Sequence, residues 1–292
     1  MTRVEVLTPG ALTTIQDLGR PGWGHIGVPR SGAADRRALV LANRLVGNAD
    51  GAAALETTLA GPRLRFDGAA TVALSGAPVR ARLDGRALGM NEALEVGPGD
   101  ELKLGNASAG LRSYIAFAGG IDAPLVLGSA ATDVLTGLGP AALAPGVVLA
   151  LGAIAGGGRT ARSPAPDPPP PWELPESVVL GVIVGPRSDW FTDASIKRLL
   201  SEPFTISQAS NRIGIRLDGP VLERARPGEL RSEGLVSGAL QVPPDGRPIL
   251  LLADHPTTGG YPVAAVVSSN DLGLAAQLRP GQEVRFRVAE VS

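Results

Sequence analysis

Glycine and proline interrupt this chain so often, at 39 and 26 of 292 residues, that few runs are long enough for an extended helix. Short strands joined by tight turns satisfy that constraint, because a turn needs residues that tolerate positive φ or pre-set φ near the turn value. One turn device occurs three times. Pro98-Gly99, Pro145-Gly146 and Pro280-Gly281 each precede an alternating apolar stretch, carried by Leu102 and Leu104, by Val147, Leu149 and Leu151, and by Val284 and Phe286. Further strands are expected at Thr71 to Leu74, Tyr114 to Phe117, Val178 to Val184 and Ile249 to Leu252. With 44% hydrophobic but only 3% aromatic residues, the core has to be built from Ala, Val, Leu and Ile.

Three short helices are expected. The first takes Ser31 as its N-cap and lines one face with Ala38, Leu39, Ala42, Leu45 and Val46 before Gly47-Asn48. The second opens near Ser188 or Asp189 and runs through Ile196, Leu199 and Leu200; the third begins near Asn270. The fold class is therefore mostly β, as two β-barrel-like domains with a few short helices. A Gly/Pro-rich segment from Gly156 to Ser177, with prolines 168–171 in succession, reads as a linker. It divides the chain into an N-terminal β domain, 1–155, and a C-terminal β domain, 178–292.

Several function classes fall away. The formal charge of −1 comes from 27 basic and 28 acidic residues with no like-charged block, which argues against nucleic acid or an anionic membrane as partner. There is no cysteine, hence no disulfide, thiolate metal site or cysteine nucleophile. Two histidines and no H-E-x-x-H leave no expected metal site. Neither a P-loop nor a G-x-S-x-G elbow is present. The N-terminus already alternates like a strand rather than a signal peptide, and the apolar run from Ala142 to Ile154 is broken by Pro145-Gly146. A soluble, cytoplasmic protein is the expectation.

Two glycine-rich segments concentrate polar chemistry. Gln16, Asp17 and Arg20, followed by Ser31 and Asp35, put an amide, two carboxylates, a guanidinium and a hydroxyl around loops that a ligand can approach closely. Capping explains Ser31 and Asp35 equally well, and Asp17 and Arg20 could pair with each other. The spacing Gly22-Trp23-Gly24-His25-Ile26-Gly27 matches a dinucleotide fingerprint, but Pro21 precedes it and Val28-Pro29 separates it from the helix, so it reads as a surface loop. The second segment, Asp254-His255-Pro256-Thr257-Thr258-Gly259-Gly260-Tyr261, follows an apolar strand. Its hydroxyls and glycine N–H groups suit a carboxylate or phosphate, and Asp254 reads as an exposed strand-end carboxylate. Arg212 and Glu233 form an expected ion pair or anion-binding set.

The ordered motifs TTIQDLGRPG, GVPRSGAAD, LANRLVGN, ALETTLAGP, AFAGGID, SNRIGIRLDGP, RSEGLVSGALQVPPDG and ADHPTTGGYP resemble the family of the 5-oxoprolinase C-type subunit. That family also covers part of the carboxyltransferase domain of urea carboxylase and the antagonist of a sporulation-kinase inhibitor. The resemblance implies a cyclophilin-like β fold and partners similar to the A-type and B-type subunits of 5-oxoprolinase. It also implies ATP-dependent opening of the lactam of 5-oxoproline to glutamate. The alternatives that it carries are half of a biotin-dependent carboxyltransferase, with no biotin bound on this chain, and a regulatory binding module. The family's polar positions fall on Gln16, Asp17, Arg20, Ser31, Asp35, Glu56, Arg212, Glu233, Asp254, Thr257, Thr258 and Tyr261. Asp17 and Asp254 are then the expected catalytic carboxylates. The others, with Gly259 and Gly260, are the expected substrate- or anion-binding groups. Where the family usually reads Gly-Ser-Arg-Ser-Thr-Asp, this chain has Ala130 in place of the arginine.

Limited proteolysis should cut first between Gly156 and Ser177 and leave two protected fragments. Early cleavage within 1–155, with that segment intact, would contradict the split.

Overall fold

The computed structural model describes residues 1–153, 175, 177–228 and 230–289. Most of the expected linker, residues 156–174 and 176, lies outside the described residues. The chain divides into two compact units, one formed by Met1–Arg20 and Asp35–Glu173, the other by Pro21–Ala34 and Leu174–Ser292. A short arm from the N-terminal part of the sequence thus belongs to the second unit.

The first unit contains two antiparallel sheets. Seven strands run in the order Ile121–Asp122, Val148–Leu151, Arg3–Thr8, Arg63–Phe66, Glu101–Ala107, Val79–Leu83, Arg86–Leu88. Five more run in the order Leu12–Gln16, Ala54–Thr58, Arg112–Phe117, Ala70–Gly76, Ala93–Val96. Alternation decides which side of each strand is dry: Val4 and Val6 are buried while Arg3 is exposed, and Leu102 and Leu104 flank the exposed Lys103. Arg112–Phe117 is buried at every position, as expected of a central strand, and Phe117 packs on Phe66 with ring centroids 6.2 Å apart. Helix α1, Arg36–Leu45, lies on the five-stranded sheet through Ala38, Leu39 and Ala42. Its N-cap is Asp35, whose carboxylate accepts from the Ala38 N–H at 3.1 Å, and not Ser31.

The second unit is a closed seven-stranded barrel: Ser177–Val184, Val263–Val267, Ala239–Gln241, Ile249–Leu251, Gly214–Asp218, Phe204–Ile206 and Glu283–Val288. Closure comes from the parallel pairing of Ser177–Val184 with Glu283–Val288, which leaves no open edge between them. Val178, Leu180, Val182, Phe204 and Phe286 fill the interior, the two rings 5.8 Å apart. A 3₁₀ turn occupies Ser188–Trp190, where a helix start was expected; α2 begins one turn later, as Asp193–Ser201, with Thr192 as its cap. Helix α3 is a single turn, Leu272–Ala275. The mostly β class, the barrel and the few short helices agree with the sequence reading. No helix among the described residues is long and apolar enough to cross a membrane.

All three Pro-Gly devices are turns, with Gly99, Gly146 and Gly281 at φ of 90°, 81° and 84°. A Cβ at any of the three would meet nothing within 4 Å, so positive φ alone is what calls for glycine there.

Phe286→Ala should destabilise the protein by about 3–5 kcal/mol in denaturant titration. Val179→Ala, on the neighbouring strand but 47% exposed, should cost no more than about 0.5 kcal/mol.

Candidate functional site

In the first unit, the polar residues of the Gln16 segment grip one stretch of backbone. The Asp17 carboxylate accepts from the Gly19 N–H, the Ser129 hydroxyl and the Ala130 N–H, each at 2.7 Å. The Arg20 guanidinium donates to the Ala131 carbonyl and, at 3.4 Å, to that of Val126. Gln16 Nε2 donates to the Thr132 carbonyl at 2.9 Å, and the Thr132 N–H returns to the Ile15 carbonyl at 2.9 Å. Asp17 and Arg20 do not pair with each other: each is occupied by residues 126–131, more than a hundred positions away in sequence. Arg20 is only 1% exposed, and among the described residues neither its Nη1 nor the buried Gln16 Oε1 has a hydrogen-bond partner. At the position of the family's arginine, the Ala130 side chain is buried in the apolar core.

Glu56 lies on the strand beside Tyr114 and is equally enclosed. Its carboxylate accepts the Tyr114 hydroxyl at 2.7 Å and faces Arg112 at 3.4 Å. The Tyr114 oxygen in turn accepts the Asp35 N–H at 2.8 Å, so one hydroxyl links the sheet to the helix cap. Burial, followed by the charges of Glu56 and Asp35, pushes the phenol well above its usual pKa and keeps it a donor. Glu56 and Asp35 are thus held within the protein network, not at an open surface.

In the second unit the decisive contact is a buried ion pair. Asp254 is 0% and Arg212 2% exposed. Arg212 Nε donates to Asp254 Oδ2 at 2.8 Å and Nη2 to Oδ1 at 3.0 Å, a bidentate fork. Ser31 adds a third donor to Oδ1 at 2.7 Å, and Arg212 Nη2 also reaches the Gly32 carbonyl at 2.7 Å. This corrects two expectations. Asp254 is not an exposed strand-end carboxylate, and Arg212 pairs with it instead of with Glu233. Glu233 is bound by Arg187, whose Nε lies 3.0 Å from Oε2; that hydrogen bond holds the Glu233 carboxyl below its usual pKa. Ser31 sits at φ 53°, a left-handed conformation uncommon for a side-chain-bearing residue, and its hydroxyl bond to Asp254 helps hold it there.

Beyond the ion pair, the chain forms a polar ledge. Thr258–Gly259 pairs with Glu233–Gly234 as a two-stranded ribbon. A Cβ at Gly259 would lie 2.6 Å from Gln241 Nε2 and 2.8 Å from Leu235 Cδ1, so a side chain there would have to displace these two side-chain ends. Thr258 is exposed and Tyr261 is 44% exposed. The Thr257 and Thr258 hydroxyls make no hydrogen bond among the described residues. Sequence reasoning missed Ser129, Arg112 and Arg187 as partners, since nothing local marks them. Tyr114 carried a signal, because a tyrosine in a fully buried strand needs a partner for its hydroxyl.

Residues 26–288 match the family described as carboxyltransferase domain, subdomain A and B. The chain belongs to this family. It is 38% identical over 286 residues to the C-type subunit of Escherichia coli 5-oxoprolinase, a match that spans 97% of this chain and 90% of that protein. It is 36% identical to the urea amidolyase of Lachancea kluyveri, again over 97% of this chain but only 17% of that longer protein. Among solved structures, the Kluyveromyces lactis urea carboxylase superposes with a TM-score of 0.90 at 34% identity, over 99% of this chain and 27% of that one.

Replacing Asp254 by Asn should destabilise the protein by about 3–5 kcal/mol in urea titration, because the Arg212 charge would be left buried without its counter-ion. A loss of no more than about 0.5 kcal/mol would mean that the pair is solvated and would restore the exposed-carboxylate reading.

Proposed function

We propose that this chain is the C-type component of an ATP-dependent 5-oxoprolinase complex, which opens the lactam of 5-oxo-L-proline to L-glutamate together with A-type and B-type partner proteins. The near full-length match to the E. coli 5-oxoprolinase component carries this reading: 90% of that protein is covered by this chain alone. A five-membered lactam is a weak electrophile, and ATP consumed by the complex would activate its carbonyl. The reaction then calls for donors toward developing negative charge. On this reading the Thr257 and Thr258 hydroxyls, the N–H groups of Gly259 and Gly260, and Tyr261 supply that binding ledge. Asp17 and Asp254, each surrounded by three donors, serve as positioning carboxylates. In the second unit Arg212, Ser31 and Glu233 hold the backbone beside this ledge, and in the first unit Gln16, Arg20, Glu56 and Asp35 hold the backbone around Asp17 and helix α1.

A second reading has its own support. The urea carboxylase fold match, at a TM-score of 0.90, favours half of a biotin-dependent carboxyltransferase that receives carboxybiotin from another chain.

Co-expression and co-purification with A-type and B-type proteins should give a complex that forms glutamate from 5-oxoproline only with ATP, whereas the isolated chain should be inactive. Turnover by the pure chain would defeat the multi-protein reading. Carboxylation of an amide by added carboxybiotin, without glutamate formation, would select the second.

A further inference from the structure

The Arg212–Asp254 pair lies beyond one end of two paired barrel strands, Gly214–Asp218 and Ile249–Leu251. The opposite end of the same two strands carries a second concentration of charge. Along Gly214–Asp218, alternation buries Ile215 and Leu217 and leaves Arg216 and Asp218 exposed. There Ser207 and the loop 243–248 help to wall a cavity of about 230 Å³ that opens to solvent. Drug-sized ligands occupy roughly 300–1,000 Å³, so this cavity suits a smaller molecule. Its walls are tied through backbone. The Ser207 N–H donates to the Arg216 carbonyl at 2.9 Å, the Leu217 N–H to that of Pro248 at 3.0 Å, and the Gly246 N–H to that of Pro243 at 3.0 Å.

Two arginines and two aspartates line the cavity, so its charges sum to zero. Arg247 and Asp218 satisfy each other, with Nη1 donating to Oδ1 at 3.0 Å. Arg216 and Asp245 do not: both line the same space, yet neither forms an ion pair among the described residues. Asp245 Oδ1 accepts the Arg247 N–H at 3.1 Å, which leaves Oδ2 without a partner among the described residues. The gap thus has a positive and a negative side. An anion would be drawn to Arg216 and repelled by Asp245, and a cation the reverse, whereas a molecule with both charges satisfies both. The Ser207 oxygen accepts the Ala209 N–H at 3.5 Å, and its hydroxyl hydrogen has no acceptor among the described residues. Pro248 and Ile249 add apolar surface to the lining.

We infer that this cavity binds a free α-amino acid as its zwitterion, with the carboxylate on Arg216 and Ser207 and the ammonium on Asp245. The same rule excludes 5-oxo-L-proline, which has a carboxylate but an uncharged amide nitrogen. The cavity is therefore a different site from the ledge at Thr257–Tyr261, and it stands whichever reaction the chain serves.

Ligand-observed NMR of the full-length protein against the standard protein amino acids should find at least one binder, with a dissociation constant of roughly 1 mM or tighter. Blocking either charge of that amino acid, by N-acetylation or by conversion of its α-carboxylate to the primary amide, should weaken binding roughly 10-fold or more. 5-Oxo-L-proline should bind no better than the blocked forms. Arg216→Gln and Asp245→Asn should each weaken the amino acid by a similar factor at an unchanged melting temperature. Both groups are exposed, and Asn keeps the oxygen that the Arg247 N–H uses. Absence of any binder, or binding that survives both substitutions, overturns the inference. Undiminished binding of the N-acetylated form also overturns it, because the cavity would then select an anion alone.

Discussion

Removing a guanidinium and a carboxylate from water costs several kcal/mol per ion, and the Arg212–Asp254 pair offsets this only because almost every polar atom of both groups is engaged. Two parallel N–H···O bonds, a serine hydroxyl and a backbone carbonyl complete the set. Much of the second unit's polar end follows from it. Arg212 shortly precedes the strand Gly214–Asp218, and Asp254 follows Ile249–Leu251, so the pair ties two adjacent barrel strands just beyond their last rung. It fixes the start of the turn that carries His255, Thr257 and Thr258, and through Ser31 and Gly32 it anchors the arm Pro21–Ala34. A buried ion pair is seldom the most stabilising filling for a core. Here it specifies which loop ends meet.

The first unit holds its loop at residues 126–131 with charged groups that bind backbone instead of each other. Asp17 and Arg20 carry opposite charges three positions apart, yet Asp17 accepts from a hydroxyl and an N–H, and Arg20 donates to two carbonyls, of residues 126–131. A carboxylate accepting N–H groups and a guanidinium donating to carbonyls shape an irregular stretch that no strand ladder supports. Glu56, Tyr114 and Asp35 link the sheet to helix α1 in the same way. In both units, side chains with the composition of a binding site are largely engaged in holding loops.

The strands, the Pro-Gly turns and the family were legible in the sequence because their signals are local or ordered along the chain. The partners of the polar groups were not. Arg212 was matched with Glu233 across 21 positions, whereas the barrel brings it to Asp254, 42 positions away. Asp254 looked exposed because it follows an apolar strand within a polar run, and nothing nearby records that Ser31 covers it. The first helix start was misplaced from Asp35 to Ser31 for a related reason: both residues are good caps, and the hydroxyl of Ser31 is used by a partner 223 residues further on. Local pattern fixes elements, whereas burial of charge is decided by topology.

The arm Pro21–Ala34 sets an order of events during synthesis. Gly32 leaves the ribosome 180 residues before Arg212, the group that its carbonyl will receive. At ordinary translation speeds that interval is roughly 9–36 s, far longer than a small β unit needs to collapse. Met1–Arg20 and the described residues from Asp35 to Ala153 are all available before the barrel exists, so the first unit can close around its own sheets with the arm left out as a loop. The barrel, by contrast, cannot complete the hydrogen bonds around its buried ion pair until it captures a segment made long before it.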